Sequence, residues 1–204
     1  LKLQVSRNEE IIEKRRNAAA YLTKRFAEND AIIPQDLGND EIKPTFHLYL
    51  LQIDPAKAGG DIQTLKEKLT ERVNETYFNK ETGLYFSHTS DESPIELVNA
   101  LCVAAGIADG EKAKFICEKL TSGELIECSL SMKPFKYDAL LKTDEKYKDY
   151  ILAEIRNTYK TMLDFGSTTV WETKVGESDF HNAGSLCHGW SAMPVYYYHK
   201  LLKT

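Results

Sequence analysis

Residues 94–105 read PIELVNALCVAA, and residues 111–120, just past a glycine-bearing turn, read EKAKFICEKL. The first stretch is apolar on nearly every side, the pattern of a helix buried around most of its circumference. The second has a single apolar stripe of Ala113, Ile116, Cys117 and Leu120, with Glu111, Lys112, Lys114, Glu118 and Lys119 left for water. Ser93 and Glu96 have capping-box spacing, and Pro94 suits a first helical position. Gly106 supplies a left-handed stop, with Ile107 placed for the apolar contact that follows such stops. Gly123 ends the second helix. The pair therefore reads as an α-hairpin with one buried helix and one that covers it.

The alternation continues outward. Lys133–Leu141 reads as a second mostly buried helix, and Glu145–Phe165 as a long amphipathic one with Tyr147, Ile151, Ile155, Tyr159 and Met162 along one side. Ser191–Leu202 reads as a third buried helix, rich in aromatics. Upstream, Glu9–Phe26, Thr45–Gln52 and Ile62–Tyr77 are read as helices, with a loop over Asn29–Lys43. A short extended stretch at Leu84–Ser87, after the Asn79–Gly83 turn, is the one β signal. No repeat signature of a solenoid is found, and the loops differ in length, which favours hairpins arranged in a ring with the buried helices inside.

At 204 residues the chain suits one domain or part of a larger one. Its net charge of −5, with lysines and arginines answered by nearby glutamates, argues against a nucleic-acid-binding face. No apolar run is long enough to span a membrane. Cys102, Cys117, Cys128 and Cys187 lack C-x-x-C spacing and read as reduced structural thiols. The Cys187-His188 pair has no partner pair at zinc-site spacing. No nucleotide or metal motif is present, so no cofactor is expected.

Chemistry concentrates in Gly166-Ser167-Thr168-Thr169-Val170-Trp171-Glu172 and in Ser185-Leu186-Cys187-His188-Gly189-Trp190-Ser191-Ala192-Met193-Pro194. An indole beside a carboxylate, with a histidine and a second indole nearby, suits sugars. Their C–H faces stack on aromatic rings, and glycosidic cleavage uses carboxylates. Taken alone, Glu172 is a loop carboxylate of the kind that commonly faces solvent. His188 alone suits a structural histidine, and Trp190 and Tyr196–Tyr198 suit core packing. His47, His88, His181 and His199 have no supporting pattern. Asp91 and Glu92 are charges placed before a helix N-terminus.

GSTTVWE followed by SLCHGWSAMPVYYYHKLL resembles the end of the catalytic (α/α)6 domain of bacterial α-L-rhamnosidases. FNKETGLYF, SPIELVNALCVAAGI and FKYDALLKTDEKYKDYILAEIRNTYKTML follow that domain in order and spacing. The resemblance covers residues 62–202, as C-terminal helical hairpins of the toroid. Residues 1–55, read as N-terminal helices, match it only loosely, within an all-α domain or fragment over 1–204. The resemblance implies an inverting hydrolysis of terminal α-L-rhamnosides, with Glu172 as general base, His188 as a sugar contact, and Trp171 and Trp190 at the substrate pocket. The compartment stays open; a soluble bacterial protein of cytoplasm or periplasm is expected. In that family the general acid comes from the first half of the toroid, whose acidic motif is not found here. The chain is therefore expected to be the C-terminal part of a larger enzyme or a truncated relative, with the missing N-terminal half as its partner. Glu177 and Asp179 are the nearest alternatives for a second carboxylate. A catalytically silent carbohydrate-binding domain and a helical interaction scaffold are the competing functions.

Overall fold

The computed structural model describes residues 7–202 apart from Asp40, His47 and Thr89, so the expectation for His47 lies outside the described residues. The chain divides into two compact units, Leu1–Leu69 and Thr70–Thr204.

In the first unit, helix α1 (Asn8–Phe26) is followed by strands β1 (Ile32–Pro34) and β2 (Leu51–Ile53), paired antiparallel with Ile33 opposite Gln52. The helix expected over Thr45–Gln52 does not form. Positions 45–50 are irregular where described, and the segment ends in β2. The physical reason is local. Arg16 donates to the carbonyls of Lys43 and Pro44, the Gln35 side chain accepts the Leu50 N–H, and Thr23 shares a 2.6 Å hydrogen bond with Tyr49, so the backbone is committed to an extended course. Helix α2 (Ile62–Tyr77) begins in this unit, with Asp61 accepting the Thr64 N–H at 2.8 Å.

The second unit holds the core. β3 (Phe78–Asn79) and β4 (Leu84–Tyr85) form a hairpin around the Asn79–Gly83 turn, where the Asn79 side chain accepts the N–H groups of Glu81 and Thr82. Then come α3 (Glu96–Ala104), α4 (Gly110–Ser122), α5 (Lys133–Thr143), α6 (Lys148–Asp164) and α7 (Met193–Leu202). The stripe read for α4 is buried as expected, as is the row Tyr147, Ile151, Ile155, Tyr159 and Met162 along α6 and the turn before it. Gly106 adopts φ 76° and closes α3. Its N–H reaches the Val103 carbonyl while the Ile107 N–H reaches that of Cys102, so the last carbonyls of the helix are satisfied.

The capping box is not made. Ile95 occupies the cap position of α3, Ser93 donates its hydroxyl to Asp91, and the Glu96 carboxylate turns inward to two lysines. The carboxylate is drawn to the two ammonium groups and accepts the Cys128 N–H beside them, which leaves it turned away from the Ser93 N–H. The Glu92 carboxylate, before the helix, accepts a hydrogen bond from Asn79.

Side-chain contacts fix the direction of the buried helices. Glu96, at the start of α3, meets Lys133 and Lys136 in the first turns of α5. Lys142, at the end of α5, donates to the carbonyls of Val103 and Ala104 at the end of α3. The two helices therefore run parallel. Tyr197 of α7 bonds Pro134 and Asp138 of α5, and Lys200 lies 3.4 Å from Asp138, so α7 is parallel as well. α4 and α6 pack on this row as the covering helices, with Cys117 donating to Thr143 and to the Ala139 carbonyl. Cys102, Cys117 and Cys128 are buried free thiols, and Cys187 is exposed and free. α7 is buried on one side only: Met193, Tyr197 and Leu201 face the core, while Val195, Tyr196 and Leu202 are exposed. Among the described residues, all-α hairpin architecture thus holds for the second unit apart from the β3–β4 pair and two isolated bridges, His88 to Asp91 and Ile95 to Ile126.

Candidate active site

Parallel buried helices place their N-terminal ends at one rim. The loops that feed α5 and α7 touch there, Leu130–Met132 against Gly189–Ser191. Both motif segments of the sequence are on this rim.

The first segment is shaped by what ends α6. Gly166 takes φ 76°, and Ser167 donates its N–H to the Met162 carbonyl, turning the chain back. The Ser167 hydroxyl then accepts the Trp171 indole N–H at 2.9 Å, and Phe165 meets the indole edge-on at 5.3 Å. Trp171 is only 5 % exposed. Gly176 lies so close to the ring that a Cβ there would sit 2.7 Å from Cε3, and a Cβ on Gly184 would sit 1.9 Å from the Gly176 carbonyl oxygen. These two glycines let the loop fold flat on the indole. Trp171, Phe165, Glu177, Asn182 and Leu186 line a cavity of about 330 Å³.

The second segment is laced to the first. Glu172 donates its N–H to Ser185 at 2.8 Å, His188 donates to Val170 at 2.9 Å, and the Thr169 hydroxyl donates to the Leu186 carbonyl. The pairing is antiparallel, since higher numbers on one side meet lower numbers on the other. One oxygen of the Glu172 carboxylate accepts the Ser185 N–H at 3.3 Å. Glu172 and His188 are both half-buried, on opposite strands of this pairing. Trp190, two residues on, is 73 % exposed, so core packing does not account for it; the same holds for Tyr196, whereas Tyr197 is buried. Between the segments, Phe180, His181 and Asn182 take φ of 49°, 59° and 65° in succession. Such residues cost of order 1 kcal/mol each. Asp179 holds the turn, its carboxylate accepting the Phe180 N–H and its carbonyl those of Ala183 and Gly184. That leaves Asp179 engaged in the backbone, while Glu177 is exposed.

Sequence reasoning missed the charges beneath the rim. Lys133 and Lys136 are 1 % and 2 % exposed, and Glu96 is 4 % exposed. Lys136 lies 2.6 Å from Glu96, 3.1 Å from Glu154 and 3.0 Å from the Tyr150 hydroxyl; Lys133 lies 3.1 Å, 2.7 Å and 3.0 Å from Glu96, Glu127 and Glu154. Burial alone would push the Glu96 carboxyl up, but Lys136 and Lys133 outweigh it and hold the group below its usual range. Burial likewise disfavours the charged form of Lys136, and the surrounding carboxylates more than restore it. The available signal was a glutamate at the head of an apolar helix and two lysines three apart on another.

Parallel buried helices, covering helices and a loop-built rim carrying Trp, Glu and His define an all-α hairpin domain like the helical domain of the α-L-rhamnosidases. The GH78 family rhamnosidase of Bacillus sp. GL1 is similar to this chain at 26% identity with a TM-score of 0.57, over 65% of this chain and 15% of that one. A rhamnosidase from Klebsiella oxytoca with rhamnose bound is similar at 18% identity with a TM-score of 0.54, over 66% of this chain and 27% of its own length. The likeness is therefore to one part of each of those proteins. No family model and no curated protein sequence matches the chain.

Proposed function

We propose that this chain supplies the C-terminal hairpins of an (α/α)6 toroid in a rhamnosidase-type glycoside hydrolase, with Glu172 as the general base of an inverting hydrolysis of terminal α-L-rhamnosides. One observation carries the reading: the Glu172 segment is laced by backbone hydrogen bonds to the His188 segment at the rim where the buried helices begin. The similarity to two rhamnosidases supports the substrate class.

In this reading Glu172 takes a proton from water as the water oxygen attacks the anomeric carbon. The glycosidic C–O bond breaks, and the leaving oxygen is protonated by an acid across the sugar, about 6.5–9.5 Å from the base. That acid comes from the remainder of the helical domain, which is the chain's partner. The Ser185 N–H fixes one Glu172 oxygen and leaves the other for the water. His188 contacts the sugar, the exposed Trp190 offers it a stacking face, and Trp171 acts from within as the wall that shapes the loop.

Release of dinitrophenol from an activated aryl α-L-rhamnoside tests this. Such a leaving group departs with little acid assistance, so the assay asks for the base and a working pocket. Turnover is expected to fall at least about a hundredfold in Glu172→Gln; equal rates in the two proteins would overturn the assignment. The exposed indole of Trp190 also fits a second reading, a catalytically silent carbohydrate-binding domain. In that case Glu172→Gln keeps its affinity for rhamnosides, and Trp190→Ala loses it.

A further inference from the structure

Hydrolysis by Glu172 makes no use of Glu127 or Lys174, yet these two residues connect its loop to the buried charges. One oxygen of Glu127 accepts from Lys133 at 2.7 Å and also pairs with Lys174, two residues beyond Glu172. Counting Lys174, the cluster holds three ammonium groups, on Lys133, Lys136 and Lys174, and three carboxylates, on Glu96, Glu127 and Glu154. Lys174 brings the formal charge of the cluster to zero at its solvent-facing edge, where the Lys174 and Glu127 side chains are 42 % and 43 % exposed.

An exposed ion pair in isolation contributes little, because two long side chains must be ordered to make it. Here Glu127 is ordered already. Lys133 holds its carboxylate, and its neighbours are tied to the head of α3: Ile126 donates to Pro94 at 2.7 Å, Glu96 donates to Ile126 at 2.9 Å, and Cys128 donates to the Glu96 carboxylate at 3.2 Å. Only the Lys174 side chain has to be fixed to close the contact.

We propose that Glu127 and Lys174 are positioning residues, a clasp that holds the Glu172–Ser185 and Val170–His188 pairing at a fixed place over the heads of α3 and α5. Its bearing on turnover rests on the role proposed for Glu172; the clasp itself does not.

Amide hydrogen exchange on the 204-residue chain tests it. Lys174→Met leaves the buried cluster's other five members in place. It should speed exchange about three- to tenfold over residues 170–175 and 184–188 and leave α3 and α5 unchanged, while Lys174→Arg should restore protection. Glu127→Gln should loosen the same loop, and Glu127→Gln with Lys174→Met should loosen it no further than Glu127→Gln alone. Unchanged exchange in Lys174→Met, or loosening spread equally through α3 and α5, overturns the clasp. If the chain turns over aryl rhamnosides, Lys174→Met should lower kcat and leave KM nearly unchanged. Loosening of the loop in Lys174→Met supports the clasp whether or not the 204-residue chain turns over aryl rhamnosides. The hydrolytic reading gives the acid to the remainder of the domain, and it stands or falls on the Glu172→Gln comparison.

Discussion

α1 and α6 are nearly equal in length, and they meet water very differently. Over Asn8–Phe26 only Ala19 is buried, and the charged residues pair along the surface, Lys14 with Glu10 at 2.6 Å. Over Lys148–Asp164, Ile151, Ile155, Tyr159 and Met162 are buried, and Glu154 is drawn into the ionic cluster. Both sequences mix apolar and charged residues. The spacing of the apolar ones decides the difference, because in α6 they recur every three to four positions and make a continuous stripe. In α1 the run Ala18-Ala19-Ala20 is too small to anchor a face. Charge in α1 is a property of the surface; in α6 part of it belongs to the core.

The largest effect should come from breaking the buried charge. Glu96→Gln leaves Lys136 and Lys133 short of a carboxylate, and such a loss costs about 3–5 kcal/mol. A urea midpoint within error of the parent would contradict the view that this cluster is a single electrostatic unit. Next comes packing: Ile155→Ala, at a fully buried position, should cost about 2–5 kcal/mol. Ile11→Ala, half-buried on α1, should cost well under half as much, and parity between the two would erase the contrast between the helices. Acid is a gentler probe. The Glu96 carboxyl is held below its ordinary 4.5, so its contribution is complete above that pH and lost as pH falls through the lower folded value. Lys136 is raised above 10.5, so its share is complete below that pH and lost as pH rises through the higher folded value. The midpoint should therefore drop below about pH 4.5. On the alkaline side the decline starts near pH 9, before Lys136 is reached, because burial raises the Cys102 and Cys128 thiols and the unfolded chain gives up their protons first. Smallest of all, Lys14→Ala should leave the midpoint where it was.

Much of the second unit was legible because its signals are short-range. The apolar stripe of α4, the glycine after α3 and the row along α6 each follow from residues within a few turns of one another, and each was found as read. Thr45–Gln52 failed because its conformation is decided by Arg16, Thr23 and Gln35, far away in sequence. The capping box failed for the same reason, since Glu96 answers to Lys133 and Lys136, about forty positions on. At the rim, Trp171, Glu172 and His188 were visible as motifs. What lies beneath them was not, because lysines at 133 and 136 look like ordinary surface charges until a carboxylate from another helix reaches them.

Trp171 and Trp190 are the only tryptophans of the chain, one sealed behind Phe165 and Gly176, the other open to solvent. The rim therefore emits its own light from two depths. Acrylamide or iodide reaches the outer indole and leaves the inner one bright, so collisional quenching divides the intrinsic fluorescence into a surface channel that responds to a docking sugar and an interior channel that responds when the loop lifts.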